Sequence, residues 1–213
     1  SDVCSSDLLV EAGSLELFYT GFSFLGQYQL SAVSEDGRSF RKVRRPCIGP
    51  GALPPGSSPL AFRDPKVFAA RDGTYRCLLG ASLKGEGAVL LYSSEDKRRW
   101  RYEGAVLRDR ATAPGIFECP DYVRLDGADL IIASPMFFPK NRREEFENLH
   151  SAVYVSGRFD DAQRVFTPDP GPEGDIYREL DGGTDFYAPQ TMRTEDGRTV
   201  MVAWMQMWKR SMP

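Results

Sequence analysis

Three short segments set chemically capable residues in one recurring frame. Phe62-Arg63-Asp64-Pro65, Phe117-Glu118-Cys119-Pro120 and Phe186-Tyr187-Ala188-Pro189 all read FxxP. Within the frame stand two carboxylates, a guanidinium and a phenol, with Asp121 just after the second copy and Asp185 just before the third. Two carboxyl groups across a pocket are the minimal equipment for cleaving a glycosidic bond. One protonates the departing oxygen while the other attacks the sugar ring or supports its positive charge. The two must then differ in protonation state. Glu118 has Ile116, Phe117, Cys119 and Pro120 around it, an apolar setting that favours a neutral acid and suits acid/base work. Asp64 follows Arg63 and precedes Lys66 by two places, so it is expected to stay ionised and to hold sugar hydroxyls. Taken singly, each residue has a plainer reading. Asp-Pro opens turns, a Glu at a strand end is commonly solvated, Asp121 can serve local hydrogen bonding, and Tyr187 and Trp204 are as readily core as sugar-stacking. The shared frame is what joins them.

The elements that must position these residues are strands. No helical spacing of apolar residues persists for three turns, whereas short apolar or alternating runs recur at 15–19, 65–70, 75–79, 88–92, 130–133, 152–155 and 199–204. Asp-Gly stands between many of them, at 36–37, 72–73, 126–127 and 196–197. That dipeptide favours tight hairpins, because both central positions tolerate positive φ. Each FxxP reaches an Asp-Gly after ten, nine and ten residues, and the copies lie 55 and 69 residues apart. Repeats of this length, each enough for a small complete sheet, are the mark of propeller blades. Proline is tolerated at a strand's first residue, so each FxxP is expected to open the innermost strand of a blade. Three sites distant in sequence would then meet at one end of the central channel. The stretch 136–149 is expected to form a surface insertion or short helix near that mouth.

Composition narrows the partners. The 213 residues carry a net charge of −3 from interleaved acids and bases, which points away from nucleic acid and anionic membranes. No apolar run of about 18 residues offers a membrane-spanning helix. Cysteines stand at 4, 47, 77 and 119 without a CxxC pair, and His150 is the single histidine, so neither a metal site nor a cofactor is expected. Free thiols in a reducing compartment are the expectation. The opening SDVCSSDL matches what a sequencing adapter encodes when read in frame, so residues 1–8 read as an assembly scar and residues 9–213 as native sequence. The run ending at Pro213 has no closing element and reads as a stop within a domain.

These motifs, in this order, resemble glycoside hydrolase family 32, the invertases, sucrose-6-phosphate hydrolases and fructan hydrolases. The family's RDP motif matches Arg63-Asp64-Pro65 and its EC motif matches Glu118-Cys119-Pro120-Asp121. Leu17-Phe18-Tyr19-Thr20-Gly21, the segment from Asp181 to Gln190, and Ala203-Trp204-Met205-Gln206 agree as well. The resemblance implies an all-β, five-bladed β-propeller, of which this chain would hold about three blades and part of another, without the family's C-terminal β-sandwich. It implies Glu118 as general acid/base, Asp64 as transition-state stabiliser, and Arg63, Asp121, Asp185, Tyr187 and Trp204 around the fructosyl unit. The family's serine-bearing substrate segment is represented only by Gly13-Ser14, which makes Ser14 a candidate ligand. Its nucleophile, an Asp in an NDPNG-type motif, has no counterpart in the chain. Asp2 and Asp7 fall in the suspected scar and are not substitutes. The implied parent hydrolyses a terminal β-fructofuranosyl linkage of sucrose, sucrose 6-phosphate or a fructan with retention, and this chain alone would be inactive. Lys140, Arg142 and Arg143 are the candidates for recognising a phosphorylated sugar. A cytoplasmic location fits a bacterial-type enzyme with no visible leader, with secretion left open by the suspected scar. An arabinan-acting propeller and a non-catalytic sugar-binding propeller are the rival readings.

Overall fold

The computed structural model describes residues 6–206, apart from residue 12, residues 110–114, residue 126, residues 139–145, residue 147 and residues 172–173. The described residues build antiparallel sheets in chain order. The first holds β1 (Ser6–Glu11), β2 (Ser14–Ser23), β3 (Gly26–Ser34) and β4 (Arg41–Lys42). The second holds β5 (Ser57–Ala69), β6 (Tyr75–Leu83), β7 (Glu86–Ser94) and β8 (Arg101–Asp109). The third holds β9 (Phe117–Leu125), β10 (Ala128–Pro135), β11 (Val153–Asp160) and β12 (Val165–Pro168), with β13 (Arg178–Glu179) also on β11. The fourth is the pair β14 (Tyr187–Arg193) and β15 (Thr199–Trp204). The opening strand of each sheet packs on that of the next, β1 on β5, β5 on β9 and β9 on β14. Consecutive meanders arranged in this way are propeller blades, three of four strands and one represented by two.

Packing explains why several strands read as continuous apolar runs. In β6, Cys77 and Leu79 face the first blade, packing with its Phe18 and with Ile48 and Phe62, whereas Leu78 faces the third with Ile131, Val153 and Val155. β7 divides likewise, Leu90 and Tyr92 to one side and Val89 and Leu91 to the other. Period-two side chains in a sheet covered on both faces leave no polar face to alternate with. Burying each such leucine contributes about 1.5–3 kcal/mol. The expectation of a surface insertion at 136–149 is corrected at its two ends. Phe138 and Phe146 are buried in the core cluster, 4.9 Å apart and edge-on. Large aromatic surfaces gain more there than on a solvated loop.

The Asp-Gly turns differ from the expectation in one detail. Gly37, Gly73, Gly127 and Gly197 take positive φ, but Asp36, Asp72 and Asp196 do not. Each of these aspartates instead accepts the N–H two residues on, from Arg38, Thr74 and Arg198 respectively, which is an Asx turn.

The FxxP frame has a backbone signature. Its third residue is left-handed in all three copies, Asp64 at φ 61°, Cys119 at 46° and Ala188 at 54°. Each strand pairing shifts register at that point, between Arg63 and Lys66, opposite the gap from Ile132 to Ser134, and between Tyr187 and Gln190. These are β-bulges, which bend a strand and re-aim the neighbouring side chain.

Candidate active site

The bulges bring the second residue of each frame together. Arg63 donates from Nε and Nη2 to Glu118 Oε1, at 3.1 and 2.6 Å, and Tyr187 Oη donates to Glu118 Oε2 at 2.7 Å. Arg63, Glu118 and Tyr187 thus form one hydrogen-bonded cluster contributed by β5, β9 and β14. The Arg63 and Glu118 side chains keep 16% and 12% of their surface, enough to be touched by a ligand. Tyr187 is buried, and burial first, then the Glu118 carboxylate, pushes its hydroxyl well above the ordinary phenol range. It therefore remains a donor at any ordinary pH. The apolar surroundings expected for Glu118 from its chain neighbours are replaced by these two polar partners. In a strand the adjacent side chains point away, so sequence neighbours are not spatial ones.

Asp64 lies beside this cluster and is buried, at 2% exposure. Its Oδ2 accepts the backbone N–H of Cys119 at 2.9 Å, and its own N–H donates to Thr20 Oγ1 at 3.0 Å. Of the two cations beside it in sequence, Arg63 pairs with Glu118 and Lys66 with Asp121.

Asp121 is not on the pocket wall, which corrects its expected place among the sugar ligands. It is fully buried, with Oδ1 2.8 Å from Lys66 Nζ and Oδ2 accepting the Thr191 N–H at 2.6 Å. Lys66 also donates to the Thr191 carbonyl at 3.0 Å and lies 3.5 Å from Asp7 Oδ1. Burial opposes the charge on Lys66, but Asp7 and Asp121 outweigh it and hold the lysine pKa above its ordinary value. At Asp7 burial is the largest influence and pushes the carboxyl up, against Lys66. The carboxylate of Asp7 is further tied to the Val67 N–H at 2.7 Å.

Other expected ligands divide by position. Trp204 pairs with Tyr187 across β14 and β15 and packs on Cys119, Tyr187 and Ala188. Asp185, in the bend two residues before Tyr187, accepts a hydrogen bond from Thr184 and is partly exposed. Ser14 is a correction. It sits in the β1–β2 hairpin, bonded to the Glu11 carbonyl, six strand residues and so about 20 Å along β2 from Thr20. Lys140, Arg142, Arg143, Trp208, Asp2 and Cys4 lie outside the described residues. Cys119 is disulfide-bonded, against the expectation of free thiols, whereas Cys47 and Cys77 are free. Thr20, the acceptor of the Asp64 N–H, lies 44 residues before it, and no spacing rule in the sequence leads from one to the other.

Comparisons with known proteins follow this geometry. A sucrose-6-phosphate hydrolase of Klebsiella pneumoniae is 37% identical over 213 residues, 95% of this chain and 43% of its own length. A raffinose invertase of Escherichia coli is 34% identical over all of this chain and 44% of its own. Among solved structures, the Bombyx mori GH32 β-fructofuranosidase BmSUC1 superposes with a TM-score of 0.83 at 29% identity, over 97% of this chain and 43% of that one. A mutant of that enzyme in complex with sucrose superposes with a TM-score of 0.82 at 29% identity, over 96% of this chain and 43% of that one. The chain thus spans less than half the length of the relatives it matches. The model for the glycosyl hydrolases family 32 N-terminal domain matches residues 1–213, and the chain belongs to glycoside hydrolase family 32.

Proposed function

We propose that the whole protein is a retaining β-fructofuranosidase, with Glu118 as general acid/base and Asp64 holding fructosyl hydroxyls. One observation carries this reading: both oxygens of Glu118 are held, by Arg63 and by Tyr187, and the next residue, Cys119, donates its N–H to the Asp64 carboxylate. A general acid/base must be held in both of its protonation states. Tyr187 Oη also lies 3.2 Å from the Ser134 carbonyl. When Oε2 carries the proton, the phenol turns its own hydrogen to Ser134 and accepts from Glu118. When Oε2 gives the proton to the departing oxygen, the phenol turns back and donates. Arg63 meanwhile fixes Oε1, so the carboxyl plane stays put while the proton moves.

On this reading Asp64 offsets oxocarbenium charge and the nucleophilic Asp comes from sequence beyond this chain, which by itself is inactive. The substrate is a small sugar with a terminal β-fructofuranosyl unit, whether sucrose, sucrose 6-phosphate or a fructan end. Relatives named for sucrose 6-phosphate and for raffinose support that class. The test offers sucrose, sucrose 6-phosphate, inulin, levan and an arabinan to the full-length parent and follows the released anomer by NMR. Release of β-fructose first is the expected result. Arabinose release, or sugar binding without turnover, overturns it.

A further inference from the structure

In the three bulges the N–H of the left-handed residue goes to a side-chain oxygen of the preceding blade. Asp64 N–H donates to Thr20 Oγ1 of β2, Cys119 N–H to Asp64 Oδ2 of β5, and Ala188 N–H to Ser134 Oγ of β10, at 3.0, 2.9 and 3.2 Å. A bulge takes its residue out of the ladder, so this N–H needs a partner from elsewhere. Left unmade in a buried site, such a bond is costly.

The first two links are continuous. Thr20 accepts from Asp64, and Asp64 accepts from the residue that follows Glu118. Behind Thr20 the network goes on: its hydroxyl donates to Gln29 Oε1 at 2.8 Å, Gln29 Nε2 donates to the Phe62 carbonyl at 2.9 Å, and Gln27 Oε1 accepts the Phe62 N–H at 2.6 Å. Three backbone groups in the middle of β5 are thereby held by side chains of the first blade. Gln27 and Gln29 are both buried. Gln29 fixes the direction of the Thr20 proton, which leaves an oxygen lone pair for Asp64. The hydroxyl does what neither a valine nor an alanine could.

We infer that Thr20 is a positioning residue for Asp64 and, through the Asp64 carboxylate, for the bulge that presents Glu118. It touches no substrate. Its effect is on where two carboxylates stand, so it acts on turnover more than on binding. The catalytic readout rests on the proposed function; a second readout does not.

The test compares Thr20→Val, Thr20→Ser and the unmodified full-length protein. Valine keeps the volume and removes the oxygen, and serine restores it. For Thr20→Val, kcat on sucrose per folded molecule should fall by about thirtyfold or more while KM stays within about threefold, the size expected when a reacting group is misplaced. Thr20→Ser should return kcat to within about threefold of the parent. Independently of catalysis, amide hydrogen exchange at single-residue resolution should quicken by about tenfold or more at Asp64 and Cys119 in Thr20→Val, and not in Thr20→Ser. Should valine prevent folding, Thr20→Ala takes its place in both measurements. Parent-like turnover in Thr20→Val, equal loss in Thr20→Ser, or unchanged exchange at Asp64 overturns the inference. If the unmodified protein cleaves no fructoside, the proposed function fails and the exchange result decides this inference alone.

Discussion

Lys66 Nζ and the buried Asp121 carboxylate lie 2.8 Å apart, and through this pair β5 is joined to β9 beneath the residues that face the channel. Asp121 also receives the Thr191 N–H, so β14 is held by the same carboxylate. One buried ion pair thus fixes three adjacent innermost strands.

Asp121→Leu should therefore destabilise the protein by about 3 kcal/mol, because it leaves Lys66 with only the more distant Asp7 carboxylate and the Thr191 N–H without its acceptor. Asp121→Asn, which keeps an oxygen for Thr191, should cost less. Urea denaturation measures both. Since Asp121 does not line the pocket, KM for sucrose in the folded Asn variant should match the parent, and a large rise in KM would restore Asp121 as a sugar ligand.

The same pair sets an alkaline limit. Lys66 has a raised pKa in the folded state, so its contribution is complete below the unfolded value near 10.4 and disappears as pH rises through the folded value. Stability of the parent measured against Lys66→Met should show a difference that shrinks above about pH 10.5. A difference that grows there would mean that the sign is wrong.

Glu118→Gln in the full-length enzyme should lose most activity, about a hundredfold or more, since an amide cannot exchange the proton. Tyr187→Phe removes only the hydroxyl that serves both protonation states. It should lower kcat by roughly tenfold, with the pH–rate profile displaced, because one of the two groups holding Glu118 is gone. Near-parent turnover in Glu118→Gln would refute its role.

Gly80 pairs with Arg63, and a Cβ added there would lie 2.1 Å from the Phe117 carbonyl oxygen. The obstacle is backbone, so the start of β9 must move. Gly80→Ala is expected to cost about 1–3 kcal/mol in thermal unfolding and to lower kcat by displacing Glu118. An unchanged melting temperature would show that the blades have slack at this contact.

At Ala188 the left-handed backbone penalises any Cβ by about 1–2 kcal/mol, which glycine relieves at an entropic cost of about 0.5–1 kcal/mol. Ala188→Gly should be neutral or stabilising by up to about 1 kcal/mol, whereas Ala88→Gly, regularly paired on both sides in β7, should destabilise. Differential scanning calorimetry distinguishes the two.

The strands at 65–70, 75–79, 88–92 and 130–133 and the blade repeat were legible because hydrophobic runs and Asp-Gly turns are local signals. FxxP carried more, since its second residue converges with those of its sister copies; the frame opens β9 and β14 as expected, but in β5 it lies inside a strand that already began at Ser57. Ser14 was misplaced because a short motif match carries no information about which end of a hairpin it occupies. Asp121 was misplaced because its position three residues after Glu118 says nothing of the buried Lys66 amine and Thr191 N–H that occupy its carboxylate.

By itself, then, the sequence determined the all-β blades, the family motifs and the identity of Arg63, Asp64, Glu118 and Tyr187 as a set. Only the tertiary structure decided their partners: that Arg63 serves Glu118, that Lys66 serves Asp121, and that Thr20 holds Asp64 from 44 residues away. The reason is physical. Propensity and periodicity act between neighbours along the chain, whereas a bulge's orphan N–H or a buried charge is satisfied by whatever the adjacent blade brings within about 3 Å.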